Sequence, residues 1–418
     1  MRELKQKLKS IKKYIVTFIR WVTTAAVTGL FGGVIGSLFH ISVQCATNFR
    51  ISNDWVVFML PIGGIIIISI YKLLKLDNNV GTNLVIESIR TDGKVPFAMA
   101  PLIFISTVIT HLFGGSAGRE GAALQLGGSI GSQIGNILKL DEKDMHLITL
   151  CGMSGVFSAL FGTPLTATFF AMEVISVGII YYSSFIPCIV SSIVAYEVSL
   201  FFGLEPVCFT LEYIPELSLD NMIKIAILGA LCAVVSIIFC RSLHKTSKLV
   251  NTKIKNDYLR IILGGVAIVI LTIIVGSRDY NGAGMDIIAN AINGNAKFEA
   301  FILKIVFTSI TISVGYKGGE IVPTFFIGAT FGCVAAKFLG IDPGFGAAIG
   351  LISLFCGVAN TLISSIVLSI ELFGANGVML FSIACGVSYM LSGYYSLYSS
   401  QKIVYSKLKA EYINKNAK

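Results

Sequence analysis

Charge is scarce in this 418-residue chain: Asp, Glu, Lys and Arg make up 13% of it, about half their share of an ordinary soluble domain. Because 55% of the residues are hydrophobic, too little polar surface is available to keep a water-soluble globule in solution. The gaps between charges are long. No Asp, Glu, Lys or Arg occurs between Arg20 and Arg50, Asp144 and Glu173, Asp342 and Glu371, or Glu371 and Lys402. Each gap exceeds the roughly 20 residues that cross a bilayer core. The expected fold class is therefore an all-α, polytopic membrane protein.

Ligand spacing for metals is also missing. The nine cysteines contain no Cys-x-x-Cys pair, and His40, His111, His146 and His244 stand apart from one another. Packing is the expected role of the cysteines, the histidines are assigned no chemistry, and no metal or cofactor is expected. Neither glycine-rich turn ends in the Gly-Lys-Ser or Gly-Lys-Thr of a phosphate loop. No linker rich in Pro, Ser or charge divides the chain, so one transmembrane domain over 21–400 is expected, without a cytosolic regulatory domain. Its two halves would run from about 21 to 205 and from about 220 to 400.

The formal charge of +9 sits at the two ends. Residues 1–20 carry seven Lys or Arg against one Glu, and 402–418 carry five Lys against one Glu, so the body between them is near neutral. That distribution argues against nucleic-acid binding. It fits the positive-inside rule with both termini cytoplasmic, which implies an even number of crossings. The first 20 residues are too charged for a cleaved secretory signal. They are expected to form a short basic helix on the cytoplasmic lipid surface, and 401–418 a short basic cytoplasmic tail.

Several apolar segments are cut by glycine, as in GGSAGREGAALQLGGSIGSQIG at 114–135 and GYKGGEIVPTFFIGATFG at 315–332. Broken helices at membrane depth are tolerated where the backbone lines a cavity or is buried in protein. The halves also resemble each other. A glycine-rich turn ending in Glu120 is matched about 200 residues later by one ending in Glu320, and Cys151-Gly152 through Glu173 by Cys356-Gly357 through Glu371. Related halves with interruptions in matching places suggest a transporter with its site between the repeats.

The helix after each turn presents free N–H groups and the positive end of its dipole, which together make an anion site. Glu120 stands at the first of them. A carboxylate at mid-membrane costs about 3 kcal/mol on insertion scales and needs a partner or a function. Arg119 is an unpromising direct partner, since adjacent helical residues point in different directions. A glutamate that occupies an anion site when charged and withdraws when neutral can exchange an anion for a proton. Glu173 and Glu371 are expected to be structural, bonded to backbone amides.

Four segments in order, GGSAGREG at 114–121, CGMSGVFSALFGTPLTATFFAMEV at 151–174, GGEIVPTFFIGATFG at 318–332 and LYS at 397–399, resemble the CLC anion channels and transporters. The similarity runs from about residue 25 to 405. It implies inverted helical repeats with many short, tilted and broken helices, a homodimer with one pathway per subunit, and Glu120 as the gating glutamate. Chloride-type members carry a Gly-Ser-Gly-Ile-Pro turn, where this chain has Gly81, Thr82, Asn83, Leu84 and Val85. They also carry an apolar residue where Glu320 stands, and their antiporters a second glutamate where Val174 follows Glu173.

These departures resemble the fluoride-exporting, proton-coupled branch found in bacterial plasma membranes. The resemblance implies an anion pathway along Gly81, Thr82, Asn83, Gly118, Glu320, Ile321, Val322 and Tyr398, with fluoride and protons as the transported partners. Strongly hydrated fluoride needs dense hydrogen-bond donors, and Thr82, Asn83, backbone amides and the Tyr398 hydroxyl could supply them. Tyr394 and Tyr395 compete with Tyr398 for the central position. The alternatives are a chloride/proton antiporter, a passive anion channel and, remotely, an intramembrane serine protease. The last rests on the Gly-x-Ser-Gly pattern at Ser154 but lacks a base, His244 being assigned to a basic loop.

Overall fold

The computed structural model describes residues 2–76, 81–91 and 95–418. Eight helices form the first half: α1 (Arg2–Ser52), α2 (Leu60–Leu73), α3 (Thr82–Ser88), α4 (Met99–Leu112), α5 (Glu120–Ile137), α6 (Glu142–Phe161), α7 (Pro164–Glu173) and α8 (Phe185–Phe201). Eight more follow in the same order of long and short: α9 (Leu219–Lys253), α10 (Asp257–Val275), α11 (Met285–Ile292), α12 (Ala300–Val314), α13 (Ile321–Leu339), α14 (Pro343–Ala359), α15 (Leu362–Phe373) and α16 (Val378–Leu391). Among the described residues, seven helical segments are long and apolar enough to cross a membrane, and several others are shorter. The chain is a multi-pass membrane protein.

Local chemistry repeats along with the helices. Asp141 Oδ1 accepts the Asp144 N–H at 2.8 Å to cap α6, and Asp342 Oδ1 accepts the Phe345 N–H at 2.8 Å to cap α14. Left-handed residues end both helices, Gly162 at φ 69° and Asn360 at φ 58°. Helix α5 packs extensively on α6, and α13 on α14. Glycine permits both contacts: a Cβ at Gly127 would collide with the Gly152 carbonyl, and one at Gly328 with the Gly350 carbonyl. Backbones approach this closely across membrane helices only where side chains are small.

The two copies face opposite ways. Glu173, the last residue of α7, accepts the N–H groups of Ile363 and Ser364 in the first turn of α15, at 3.1 and 2.8 Å. Glu371, near the end of α15, accepts those of Leu165 and Thr166 in the first turn of α7, at 2.9 and 2.8 Å. Each helix ends where the other begins, so α7 and α15 run antiparallel. This is the relation an inverted repeat produces, and both glutamates bond to backbone amides as expected.

Three local expectations change. The basic start is not a separate surface helix but is continuous with the first span in α1, a rod of about 75 Å. It contains no proline, and nothing near residue 20 interrupts helix propagation. The basic stretch Arg241–Lys248, with His244, is not a loop but lies inside α9. Residues 401–418, expected as a short basic tail, fold into strands. They contribute β2 (Lys402–Tyr405) and β3 (Tyr412–Asn416), an antiparallel pair joined in parallel to β1 (Ser176–Val177) after α7. Ile403 and Val404 are buried in β2 and Tyr405 is exposed.

Arg20 and the terminal strands lie beside the start of α6. Arg20 pairs with Asp144 at 2.9 Å beside the start of α6, and Lys143 lines the same cavity as Asn414 of β3.

Candidate anion-binding site

The two glycine-rich turns meet in the interior. Gly118 donates to the Gly319 carbonyl at 2.6 Å and Gly319 to the Gly118 carbonyl at 2.7 Å, an antiparallel bridge between the residues preceding α5 and α13. Both helices therefore aim their N-termini at one place, and their unsatisfied amides and dipoles act together there. Gly118, Ile321 and Val322 are buried.

The Glu120 carboxylate occupies this junction and is fully buried. Its Oε2 accepts the Arg119 N–H at 2.9 Å from its own turn and the Val322 N–H at 3.4 Å from the other repeat. Oε1 has no hydrogen-bond partner among the described residues but lies 3.6 Å from Arg119 Nε. The expectation that Arg119 would not pair with Glu120 is thus overturned. Arg119 is the N-cap, at φ −115°, outside the helix whose geometry would have turned the two side chains apart.

Glu320 is the N-cap residue of α13, the place Arg119 holds in α5, and its side chain makes no capping hydrogen bond. A Cβ at Gly121 would come 3.1 Å from the Glu320 carboxylate and 3.5 Å from Thr82 Oγ1, so glycine there leaves both groups their space. Thr82, at the start of α3, donates to the Gly121 carbonyl at 3.1 Å and accepts from Gln125 Nε2 at 3.1 Å. Asn83 does not aim its oxygen at the junction: Oδ1 accepts the Ser400 N–H at 3.0 Å and ties α3 to the turn holding Tyr398. Gly81 precedes α3 in an extended conformation.

Three tyrosines near the end of the chain separate by their partners. Tyr394 bonds Ser406 at 2.9 Å, and Tyr395 accepts from Arg241 at 2.5 Å. The Tyr398 side chain is buried near Glu320 and Glu120, and its hydroxyl has no partner among the described residues. A buried phenol without a partner beside two carboxylates is a donor available to something else.

Other residues form the site without having stood out in the sequence. Gln125 is buried in α5 with Oε1 unpartnered among the described residues; its only signal was an amide in an apolar run. Arg50 donates to the His111 carbonyl at 2.7 Å, His111 Nε2 lies 3.3 Å from the Gly118 carbonyl, and Asn281 donates to the Gly114 carbonyl at 2.9 Å. Together they brace the first turn. Arg50, His111, Arg119, Glu120, Arg278 and Val322 border a cavity of about 410 Å³ leading away from the junction. Ser154 has no catalytic setting: its hydroxyl donates to the Cys151 and Cys188 carbonyls at 3.1 and 3.2 Å.

The sequence matches the voltage-gated chloride channel family over residues 63–393. It is similar to a chloride/fluoride channel protein of Pseudomonas syringae pv. tomato, 33% identical over 395 residues, which span 93% of this chain and 87% of that protein. An H(+)/Cl(−) exchange transporter of Vibrio campbellii is 24% identical, with 83% and 81% covered. Among solved structures, a CLC-type fluoride/proton antiporter superposes with a TM-score of 0.89 at 31% identity, covering 92% of this chain and 98% of that one. A slow cyanobacterial Cl−/H+ antiporter superposes at 0.77 with 20% identity over 89% and 94% of the two chains, a likeness of fold.

Proposed function

The chain belongs to the voltage-gated chloride channel (CLC) family, and from that premise we propose that it is a proton-coupled antiporter that exports fluoride. As a CLC protein it moves ions and is not an enzyme. The observation that carries the reading is the Glu120 carboxylate bonded at once to the Arg119 and Val322 amides, one from each repeat. Charged, Glu120 competes for the position a halide would take; protonated, it loses its attraction for the helix N-termini and can leave. Anion entry and proton pickup then become one event. The names of the Pseudomonas relative and of the superposed fluoride/proton antiporter support fluoride as the anion.

Glu320 and Tyr398 give the pathway its character. An ionised carboxyl group beside an anion route repels any halide, whereas a protonated one donates a hydrogen bond. Fluoride, the strongest acceptor among the halides, gains most from that donor, from the Tyr398 hydroxyl and from the backbone amides. In a bacterial plasma membrane the inward proton gradient would expel fluoride. The protein would work as a homodimer, one pathway per subunit, with both basic ends in the cytoplasm.

Proteoliposomes loaded with fluoride or chloride test this reading, with halide efflux followed by electrode and internal pH by a dye. Fluoride efflux should drive protons inward against their gradient, and chloride should do so far less. Equal coupling by chloride would make the protein a chloride/proton antiporter, and halide efflux without proton movement a passive channel.

A further inference from the structure

A cavity of about 680 Å³ opens between the end of α3, the start of α6, the β1 loop and the terminal strands. Arg90, Lys143, His146 and Lys402 line it, and none of its described lining residues is acidic. Lys143 and Lys402 have no ion-pair partner among the described residues, and Arg90 Nε is buried without a hydrogen-bond partner. Cations gathered around a hollow repel one another unless an anion sits among them. The volume is that of a small-molecule site, far larger than a halide requires. Hydroxyls of Ser176 and Tyr181 lie on the same wall, and guanidinium, ammonium and hydroxyl donors together suit phosphate oxygens.

The cavity also touches the part of the fold that holds Tyr398. Tyr412 and Asn414 of β3 and Lys402 of β2 form one side of it. Just before β2, Gln401 donates to the Val174 and Ala359 carbonyls at 3.0 and 2.9 Å, and its oxygen accepts from Ser396 and Asn360, both at 2.9 Å. Just after β3, Ala417 donates to the Gln401 carbonyl at 2.9 Å, and Lys418 exchanges backbone bonds with Tyr394 and Ser396 at 2.8 and 3.1 Å. The Tyr398 turn is thus clasped by the two strands that wall the cavity. We propose that this cavity binds a phosphate-bearing ligand, the headgroup of an anionic lipid or a soluble phosphate ester, and that its occupancy holds the Tyr398 turn in its transporting position.

Thermal melting of the full chain in neutral detergent tests the binding, with pyrophosphate titrated in one arm and phosphatidylglycerol against phosphatidylcholine in the other. One arm should raise the melting temperature by about 3 °C or more at saturation, and which arm does so identifies the source. The shift should vanish in the Lys143→Gln/Lys402→Gln double variant and shrink in Lys143→Gln alone, an exposed substitution that serves if the double variant does not fold. No shift in either arm, or an equal shift in the variants, overturns the site. Because melting needs no transport, this failure is separable from failure of the fluoride reading. Halide efflux from vesicles should rise with the same ligand; efflux indifferent to a ligand that shifts melting would remove the link to Tyr398.

Discussion

Gly118 and Gly319 exchange both of their backbone hydrogen bonds, at 2.6 and 2.7 Å, so the turns that open α5 and α13 form one unit. Two positive helix ends pushed together repel, and an anion between them removes the repulsion. In this structure the Glu120 carboxyl group lies between them, and on the proposed reading its charged form is that anion. The bridge therefore explains why a buried glutamate is tolerated at this depth and why a halide could replace it.

Glu120→Gln keeps the shape of the side chain and removes both its charge and its ability to carry a proton. Proton movement driven by a fluoride gradient should fall at least about tenfold, the factor that 1.4 kcal/mol of lost coupling produces. The internal-pH dye in fluoride-loaded proteoliposomes reads this directly. Retained uphill proton movement would remove Glu120 from the coupling step.

Glu320→Ala leaves α13 without its side chain at the cap and vacates the space that Gly121 keeps open. Fluoride efflux should drop about tenfold and the preference for fluoride over chloride should narrow, because a site rejects the wrong ligand mainly through polar groups built for the right one. Electrode measurements with each halide give both numbers. Wild-type rates and preference would make Glu320 a structural cap.

The glycine turns, the two glutamates after them and the repeat itself were legible because helix interruption in an apolar chain has few physical explanations. Residues whose role depends on a distant backbone group left no comparable trace. Arg50 reaches a carbonyl 61 positions away, Asn281 one 167 away, and no local pattern encodes such a meeting. The strands after Tyr398 were hidden by their Lys-rich composition, which reads as a solvated tail until β1 supplies an edge to pair with. Arg119 was misjudged for a different reason: helical geometry was applied to a residue that stands one position outside the helix.

Tyr398→Phe separates a transport role from a structural one. The hydroxyl has no hydrogen-bond partner among the described residues, so its removal breaks no protein contact and should change stability by less than about 0.5 kcal/mol. Fluoride affinity should nevertheless weaken by up to about tenfold, the value of one good hydrogen bond to an anion. Tyr395→Phe is the contrasting variant, since it loses the bond from Arg241 and should lower the melting temperature without altering halide preference. A Tyr398→Phe protein that melts early yet transports normally would reverse the assignment.

The reciprocal caps of α7 and α15 make a stability prediction independent of the transported ion. Glu173→Ala and Glu371→Ala each strand two amides that now bond a carboxylate, and each should cost about 1–3 kcal/mol, seen as earlier melting in detergent. The two glutamates bond different amides at opposite ends of the helix pair, so a double variant should lose close to the sum of the single losses. Gln at either position retains one acceptor oxygen and should fall between Ala and wild type. The proton-to-fluoride ratio of the folded fraction should stay constant throughout. A changed ratio in Glu173→Gln with unchanged melting would instead put Glu173 on the proton route, and the symmetry of the two caps would then be structural on one side only.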